Sequence, residues 1–148
     1  MSVQYDEEYY DILTIIDRLR EECVDRYGNL FRASKAYGDR NLNRYLNTNA
    51  YSLGLKNLKK ICKFLNISYQ YAVFGGNKGV FDDSPITLNN FYRIYKRVYE
   101  GEVDKYVYHG YWRLKNKRSS TFPLKFLIKL AKRSNKTIDF LLKGWYYD

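Results

Sequence analysis

A stretch near the end of this chain repeats an earlier one at a constant offset of 69 residues. Residues 55–75 are LKNLKKICKFLNISYQYAVFG and residues 124–144 are LKFLIKLAKRSNKTIDFLLKG, so that seven of 21 aligned positions are identical. The identical pairs are Leu55/Leu124, Lys56/Lys125, Leu58/Leu127, Lys60/Lys129, Lys63/Lys132, Asn66/Asn135 and Gly75/Gly144. The alignment needs no gap. It therefore predicts that one small helical unit occurs twice, and that any function belongs to a pair of units.

Composition sets the class of protein. A chain of 148 residues can form one domain or two small ones. Its residues are 45% hydrophobic and 18% aromatic, which is enough for a packed core. A fully disordered chain is therefore excluded.

Charge is divided unevenly along the chain. Residues 1–27 hold eight acids and three arginines, whereas residues 28–148 hold 23 Lys and Arg and eight acids. The net charge of +10 is thus the balance of an acidic first helix and a strongly basic body. A basic body favours a polyanionic partner, most often nucleic acid, although surface lysine also serves solubility alone.

Few side chains in this sequence could support catalysis or hold a metal ion. Cys23 and Cys62 lie on apolar faces of predicted helices, which indicates buried, reduced thiols. His109 is the only histidine and no CxxC pair exists, so we expect neither a metal site nor a cofactor. The sequence also lacks a Walker loop, a GxGxxG loop and any Ser/His/Asp set, and it therefore predicts a protein that is not an enzyme.

The first residues and the hydropathy pattern suggest a cytoplasmic protein. The start, MSVQYDEEYY, lacks the basic and apolar regions of a signal peptide. No apolar run approaches 18 residues, so we expect no membrane span.

The apolar spacing predicts five helices in the first half of the chain. They cover 7–27, 30–37, about 40–47, 55–65 and 69–74, with Gly28 and Asn29 as a stop and a cap and Ser68 as a second cap. The apolar stripe of the first helix is Ile12, Ile15, Ile16, Leu19, Cys23 and Val24, and its acids are expected on a solvated face. Residues 48–54 are expected to be a loop.

The second half shows the same order of elements. Helices are predicted over 88–99, 102–108, 111–116, 123–134 and 138–142, with Pro123 as a first helical residue and Thr137 as a cap. We find no strand pattern, and the fold class predicted is all-α. The Gly-, Asp- and Pro-rich residues between the halves predict a linker.

The two tails, with NRYLN at 43–47 and LKNKRSSTFP at 114–123, resemble lambda-repressor-like (Cro/C1, or XRE-type) helix-turn-helix domains. The resemblance implies two tandem, divergent helix-turn-helix bundles. The first unit would cover 1–76 including the acidic N-terminal helix, followed by a linker at 77–85 and a second unit at 86–148. It also implies that NRYLN ends a recognition helix. The lysine stripes on the longer repeated helices are then expected to be plain solvent faces.

Polar residues crowd the predicted recognition helix of the first unit. Asn pairs with adenine and Arg with guanine in the major groove, so base contacts are predicted for Asn41, Asn43, Arg44 and Asn47. So many asparagines can equally serve local turns and caps. Phosphate contacts are predicted for Arg40, Asn49, Arg113, Lys115, Lys117, Arg118 and Ser119, with a solvated basic loop as the alternative for those after 112.

These patterns lead to one main hypothesis and two rivals. The main one is a sequence-selective double-stranded DNA-binding protein, a regulator of repressor type that acts as a single-chain pseudo-dimer. One rival is a protein-interaction or antitoxin-like module on the same scaffold, with a protein partner on the acidic first helix. The other is single-stranded nucleic-acid binding through exposed Tyr and Trp. The sequence leaves open whether the chain is a monomer or a homodimer.

Overall fold

In a computed structural model of the 148-residue chain, the described residues are 7–38, 41–47, 53–99, 122 and 124–144. These residues form helices and contain no strand, which confirms the all-α fold class. They group into two compact units. The first unit comprises the residues up to Leu53 together with Asn57–Phe81. The second comprises Gly54–Lys56 and the residues from Asp82 onward.

The helices lie close to their predicted positions. The first five are α1 (Glu7–Tyr27), α2 (Leu30–Tyr37), α3 (Asn41–Asn47), α4 (Leu55–Leu65) and α5 (Tyr69–Phe74). The others among the described residues are α6 (Asn89–Val98), α7 (Leu124–Ser134) and α8 (Ile138–Leu141). The helices predicted over 102–108 and 111–116 lie outside the described residues.

Helix α1 is the centre of the first unit. Ile12, Ile15, Ile16, Leu19 and Cys23 are all buried, as the spacing predicts. The helix packs against α2, α3 and α5, so its apolar stripe is covered by three shorter helices. This burial gives α1 most of its stability, because isolated helices are marginal in water.

Two residues of α1 depart from the predicted pattern. Val24 is 42% exposed although the spacing predicts it on the apolar stripe, and Glu22 is 3% exposed although the pattern predicts it on the solvated face. An α-helix turns about 100° per residue, so Val24 lies roughly 120° away from the centre of the stripe. Glu22 flanks the stripe on the other side, where α5 covers it.

The repeated segments have the same local backbone. Asn66 and Asn135 end the longer helices with φ of 51° and 59°, a left-handed conformation that Asn tolerates. Two residues later Ser68 and Thr137 adopt φ/ψ of −72°/155° and −74°/154°. Each side-chain oxygen accepts the backbone N–H three residues on, at 3.0 and 3.1 Å. The helix–Asn–cap–helix corner therefore occurs twice at the offset of 69.

In the second unit the start of α6 is held by the residues that follow α8. Backbone N–H groups of Thr87 and Leu88 both donate to the carbonyl of Leu142, at 2.9 and 3.0 Å. The N–H of Asn90 donates to the carbonyl of Lys143 at 2.9 Å. These bonds satisfy donors at the beginning of a helix and acceptors at the end of another, where neither has an intrahelical partner.

Candidate nucleic-acid interface

Few residues separate helices α2 and α3. Asn29 caps α2 by accepting the N–H of Arg32 at 2.8 Å, and α2 ends at Gly38. Gly38 has φ 81° and ψ 8°, and its N–H donates to the carbonyl of Ser34 at 3.0 Å. Helix α3 begins at Asn41, so three residues connect two helices that pack on each other and on α1. This length, with a glycine in the turn, is typical of a helix-turn-helix connection.

Helix α3 has a buried side and an exposed side. Leu42 and Leu46, one turn apart, are fully buried. Asn43 and Arg44 are exposed. The two leucines therefore attach α3 to the first unit and leave an amide and a guanidinium, side by side in sequence, on its outer surface.

Arg20 of α1 holds the end of α3. Its guanidinium donates through Nε (3.1 Å) and Nη2 to the backbone carbonyl of Leu46. A second contact, 3.8 Å from Nη1 to Asp17 Oδ1, lies on the same helix α1. Carbonyls in the last turn of a helix lack intrahelical donors, and a cation is favoured there. No pattern in the sequence indicates this role, apart from an arginine that stands among the acids of α1.

Of the predicted base contacts, two can be placed with their side chains. Asn43 and Arg44 lie together on the exposed side of α3. Asn41 and Asn47 begin and end α3, and only their backbone is described. The predicted phosphate contacts Arg40, Asn49, Arg113, Lys115, Lys117, Arg118 and Ser119 lie outside the described residues.

The outer face of α2 carries exposed residues that are not among the predicted contacts. Phe31 is 67% exposed, and the ammonium of Lys35 lies 4.7 Å from the centroid of its ring. Arg32, between them in sequence, is exposed too. The only buried residue of α2 is Ala33. Because the buried residue Ala33 is so small, the apolar periodicity of α2 does not indicate that Phe31 is exposed.

Glu22 of α1 has a buried carboxylate with three partners. Its Oε1 accepts the hydroxyl of Tyr71 at 2.7 Å and lies 2.9 Å from Lys78 Nζ, while its Oε2 lies 3.6 Å from Arg26 Nε. Burial raises the pKa of Glu22, but the hydrogen bonds from Tyr71 and Lys78 and the charges of Lys78 and Arg26 outweigh it. The net effect lowers the pKa, so Glu22 is ionised at neutral pH.

The prediction that Glu22 is solvated was wrong because its partners lie far from it in the sequence. Tyr71 and Lys78 lie 49 and 56 positions later in the chain, and both come from the region of α5. The partners of a buried charge are needed to offset its desolvation, and periodicity within α1 carries no information about them.

The two cysteines are buried, as predicted. Neither Cys23 nor Cys62 is part of a disulfide, and neither has exposed surface. Burial, followed by the charge of Glu22, raises the pKa of Cys23 to about 11, while Arg26 opposes the shift. A thiol that stays protonated and inaccessible is a poor nucleophile or metal ligand.

Within the described ranges, no group of three or more His, Cys, Asp or Glu side chains could hold a metal ion. None of the helices described is both long enough and apolar enough to cross a membrane. Comparisons with protein-family models, curated proteins and solved structures found no match to this chain.

Proposed function

We propose that this chain binds double-stranded DNA and regulates transcription in the manner of a repressor. Helix α3 would enter the major groove, with Asn43 and Arg44 on base edges. The supporting observation is their joint exposure on a helix whose Leu42 and Leu46 are buried and which follows α2 through the Gly38 turn. Helix-turn-helix proteins place such a second helix in the groove.

Charge supports a polyphosphate as the ligand. Residues 28–148 hold 23 basic against eight acidic side chains, and Arg32 and Lys35 on α2 are exposed. Lys and Arg contacts to phosphate supply most of the affinity of such proteins, and base contacts supply the selectivity. If about six phosphates are neutralised, log K falls with log salt at a slope near −5.

Two divergent units in one chain support a single-chain pseudo-dimer. Dimers of helix-turn-helix units bind half-sites about one turn apart, roughly 34–36 Å. A covalent link replaces the second association by a high effective concentration. Because the units differ in sequence, the preferred site would be asymmetric.

The proposal is tested by selecting ligands from randomised duplexes and measuring competition between the selected and a scrambled duplex. Replacing Asn43 by Ala and Arg44 by Gln should each reduce the preference for the selected duplex by about 1–3 kcal/mol, the usual discrimination from one paired base. Arg97→Gln on α6 serves as a control that removes one exposed charge. Unchanged preference in the α3 variants would refute the role of α3, and selection of a perfect palindrome would refute the asymmetric pseudo-dimer.

A protein-interaction module is the second candidate, and exposed Phe31 favours it. Its ring is 67% exposed and is therefore available to a partner, and aromatic residues are enriched in protein interfaces. The exposed acids Asp17, Glu21 and Asp25 also follow one face of α1. Co-purification with a basic protein, together with no shift of any duplex at low salt, would favour this function over DNA binding.

A further inference from the structure

The seven identities between the two repeated segments fall into two groups. Four have a structural reason: Leu55/Leu124 and Leu58/Leu127 are buried, and Asn66/Asn135 and Gly75/Gly144 have positive φ. The other three are the lysine pairs Lys56/Lys125, Lys60/Lys129 and Lys63/Lys132, all exposed. Neither burial nor backbone conformation requires lysine at those positions.

Each set of three lysines forms one line on its helix. The spacings of four and three residues place them on the same face of α4 or α7, over about 10 Å of helix axis. We call these the lysine faces: Lys56, Lys60 and Lys63 on α4, and Lys125, Lys129 and Lys132 on α7.

The composition of these helices concentrates positive charge. Helix α4 contains four lysines, and α7 contains three lysines and Arg133, while neither contains an acidic residue. Like charges four residues apart destabilise a helix, and both α4 and α7 have such pairs, including Lys56 with Lys60 and Lys125 with Lys129. In α1, by contrast, Glu22 and Arg26 form an ion pair at this spacing.

We propose that the two lysine faces bind the phosphate backbone of nucleic acid. Three cations spread over about 10 Å present positive charge to a strand that carries one phosphate about every 3.4 Å of the duplex axis, so each face is long enough to contact about three phosphates. The inference rests on the proposed binding of DNA and deepens it, because it gives a sequence-independent contact to each of the two repeated helices. It also replaces the expectation that these lysines only face solvent.

The test is the salt dependence of binding to a duplex of random sequence, about two helical turns long, measured between about 50 and 200 mM salt. Neutralising three phosphates contributes about −2.7 to the slope of log K against log salt. Replacing the lysines of one face by Gln should therefore remove about that amount, so that the fall in affinity over this salt range shrinks roughly 40-fold. Replacing both faces should remove about twice as much from the slope.

A matched control removes three charges elsewhere. Lys96, Arg97 and Lys136 are exposed and lie outside both faces, so their triple Gln variant has the same net charge as a one-face variant. Gln and Lys have similar helix propensities, so the variants should fold, which circular dichroism can verify. If the control and the face variants have the same slope of log K against log salt, the effect comes from net charge alone and the proposal is overturned.

The outcomes separate this inference from the role of α3. If the duplex binds and the slope of log K against log salt is the same in the face variants as in the unchanged chain, the inference is overturned and the proposed role of α3 is unaffected. A smaller slope in the face variants, with an unchanged sequence preference in the Asn43 and Arg44 variants, supports the inference and refutes the role of α3. If the face variants instead abolish self-association in sedimentation and leave duplex binding unchanged, the faces bind an acidic surface such as α1 of a second copy, and the proposal falls.

Discussion

Tyr71 donates its hydroxyl hydrogen to Oε1 of Glu22 at 2.7 Å, joining α5 to the buried side of α1. The aligned residue in the second repeat is Phe140, which is 43% exposed and has Lys136 Nζ 5.5 Å from its ring centroid. The two copies of the repeated corner thus use the same position differently. In the first unit Tyr71 anchors the corner to the carboxylate of Glu22, whereas in the second unit Phe140 lies at the surface.

Tyr71→Phe removes this bond and keeps the ring. A hydrogen bond to a charged group contributes about 1.5–3 kcal/mol, and we expect a loss of stability in that range. Urea unfolding measures it. Tyr27→Phe is the control, because the ring of Tyr27 stacks on Phe64 at 5.3 Å and should keep stability within about 0.5 kcal/mol. Similar losses in both variants would contradict the anchoring role of Tyr71.

Stability should depend on pH through the same pair. Glu22 has a pKa below its ordinary 4.5, so its stabilising contribution is complete above that value and is lost as pH falls through the lower, folded-state pKa. The hydrogen bond to Glu22 and burial raise the pKa of Tyr71 above 10, so its contribution is lost as pH rises through the folded-state pKa. Urea midpoints from about pH 2 to 11 should show both losses, and Glu22→Gln should flatten the acid limb. If Glu22→Gln leaves the loss of stability at low pH unchanged, that loss comes from other carboxylates.

The two N-caps should contribute equally to stability. Ser68 and Thr137 have nearly identical backbone angles and cap distances, and removal of such a cap costs about 1 kcal/mol. Ser68→Ala and Thr137→Ala should each lower the free energy of unfolding by that amount. Asp at either position keeps an acceptor and should restore most of it. No rescue by Asp would mean that the hydroxyls act through packing.

Gly144→Ala should destabilise the second unit. A Cβ there would lie 2.8 Å from Asn90 Oδ1 and 2.9 Å from its backbone nitrogen, and φ is +128°. Strain of this kind costs of order 1–3 kcal/mol, and the close backbone contact adds to it. Gly76→Ala is the control, since φ is +92° but no atom lies within 4 Å of the added Cβ. Thermal unfolding should show the larger loss for Gly144, and the reverse order would contradict the close approach.

Arg20→Gln should loosen α3. It removes the guanidinium that donates to the carbonyl of Leu46, and we expect a loss of about 1 kcal/mol. Hydrogen exchange should become faster at the amides of α3 and change little in α8. Arg97→Gln, an exposed arginine of α6, is the matched variant. If both variants leave exchange in α3 unchanged, Arg20 does not hold this helix.

Local features of the sequence were sufficient to predict most helices and caps. The bounds of α1, α2, α4 and α5 agree with the apolar spacing, and Asn29, Ser68 and Thr137 cap as expected. Helix period and capping depend on residues within one or two turns, so a single sequence contains the information. The exposure of Asn43 and Arg44 on a helix anchored by leucines follows from the same spacing.

Tertiary structure decided which polar side chains are buried and what holds them. Glu22 meets Tyr71 and Lys78, and Arg20 meets the end of α3, through contacts between residues 26 to 56 positions apart. Such pairings depend on how helices pack, and the pattern within one helix does not record them. The sequence determined where the helices form and where the lysines repeat, because these are short-range properties. Only packing determined that an acid of α1 would become a buried, ionised anchor, because its desolvation is offset by partners distant in the chain.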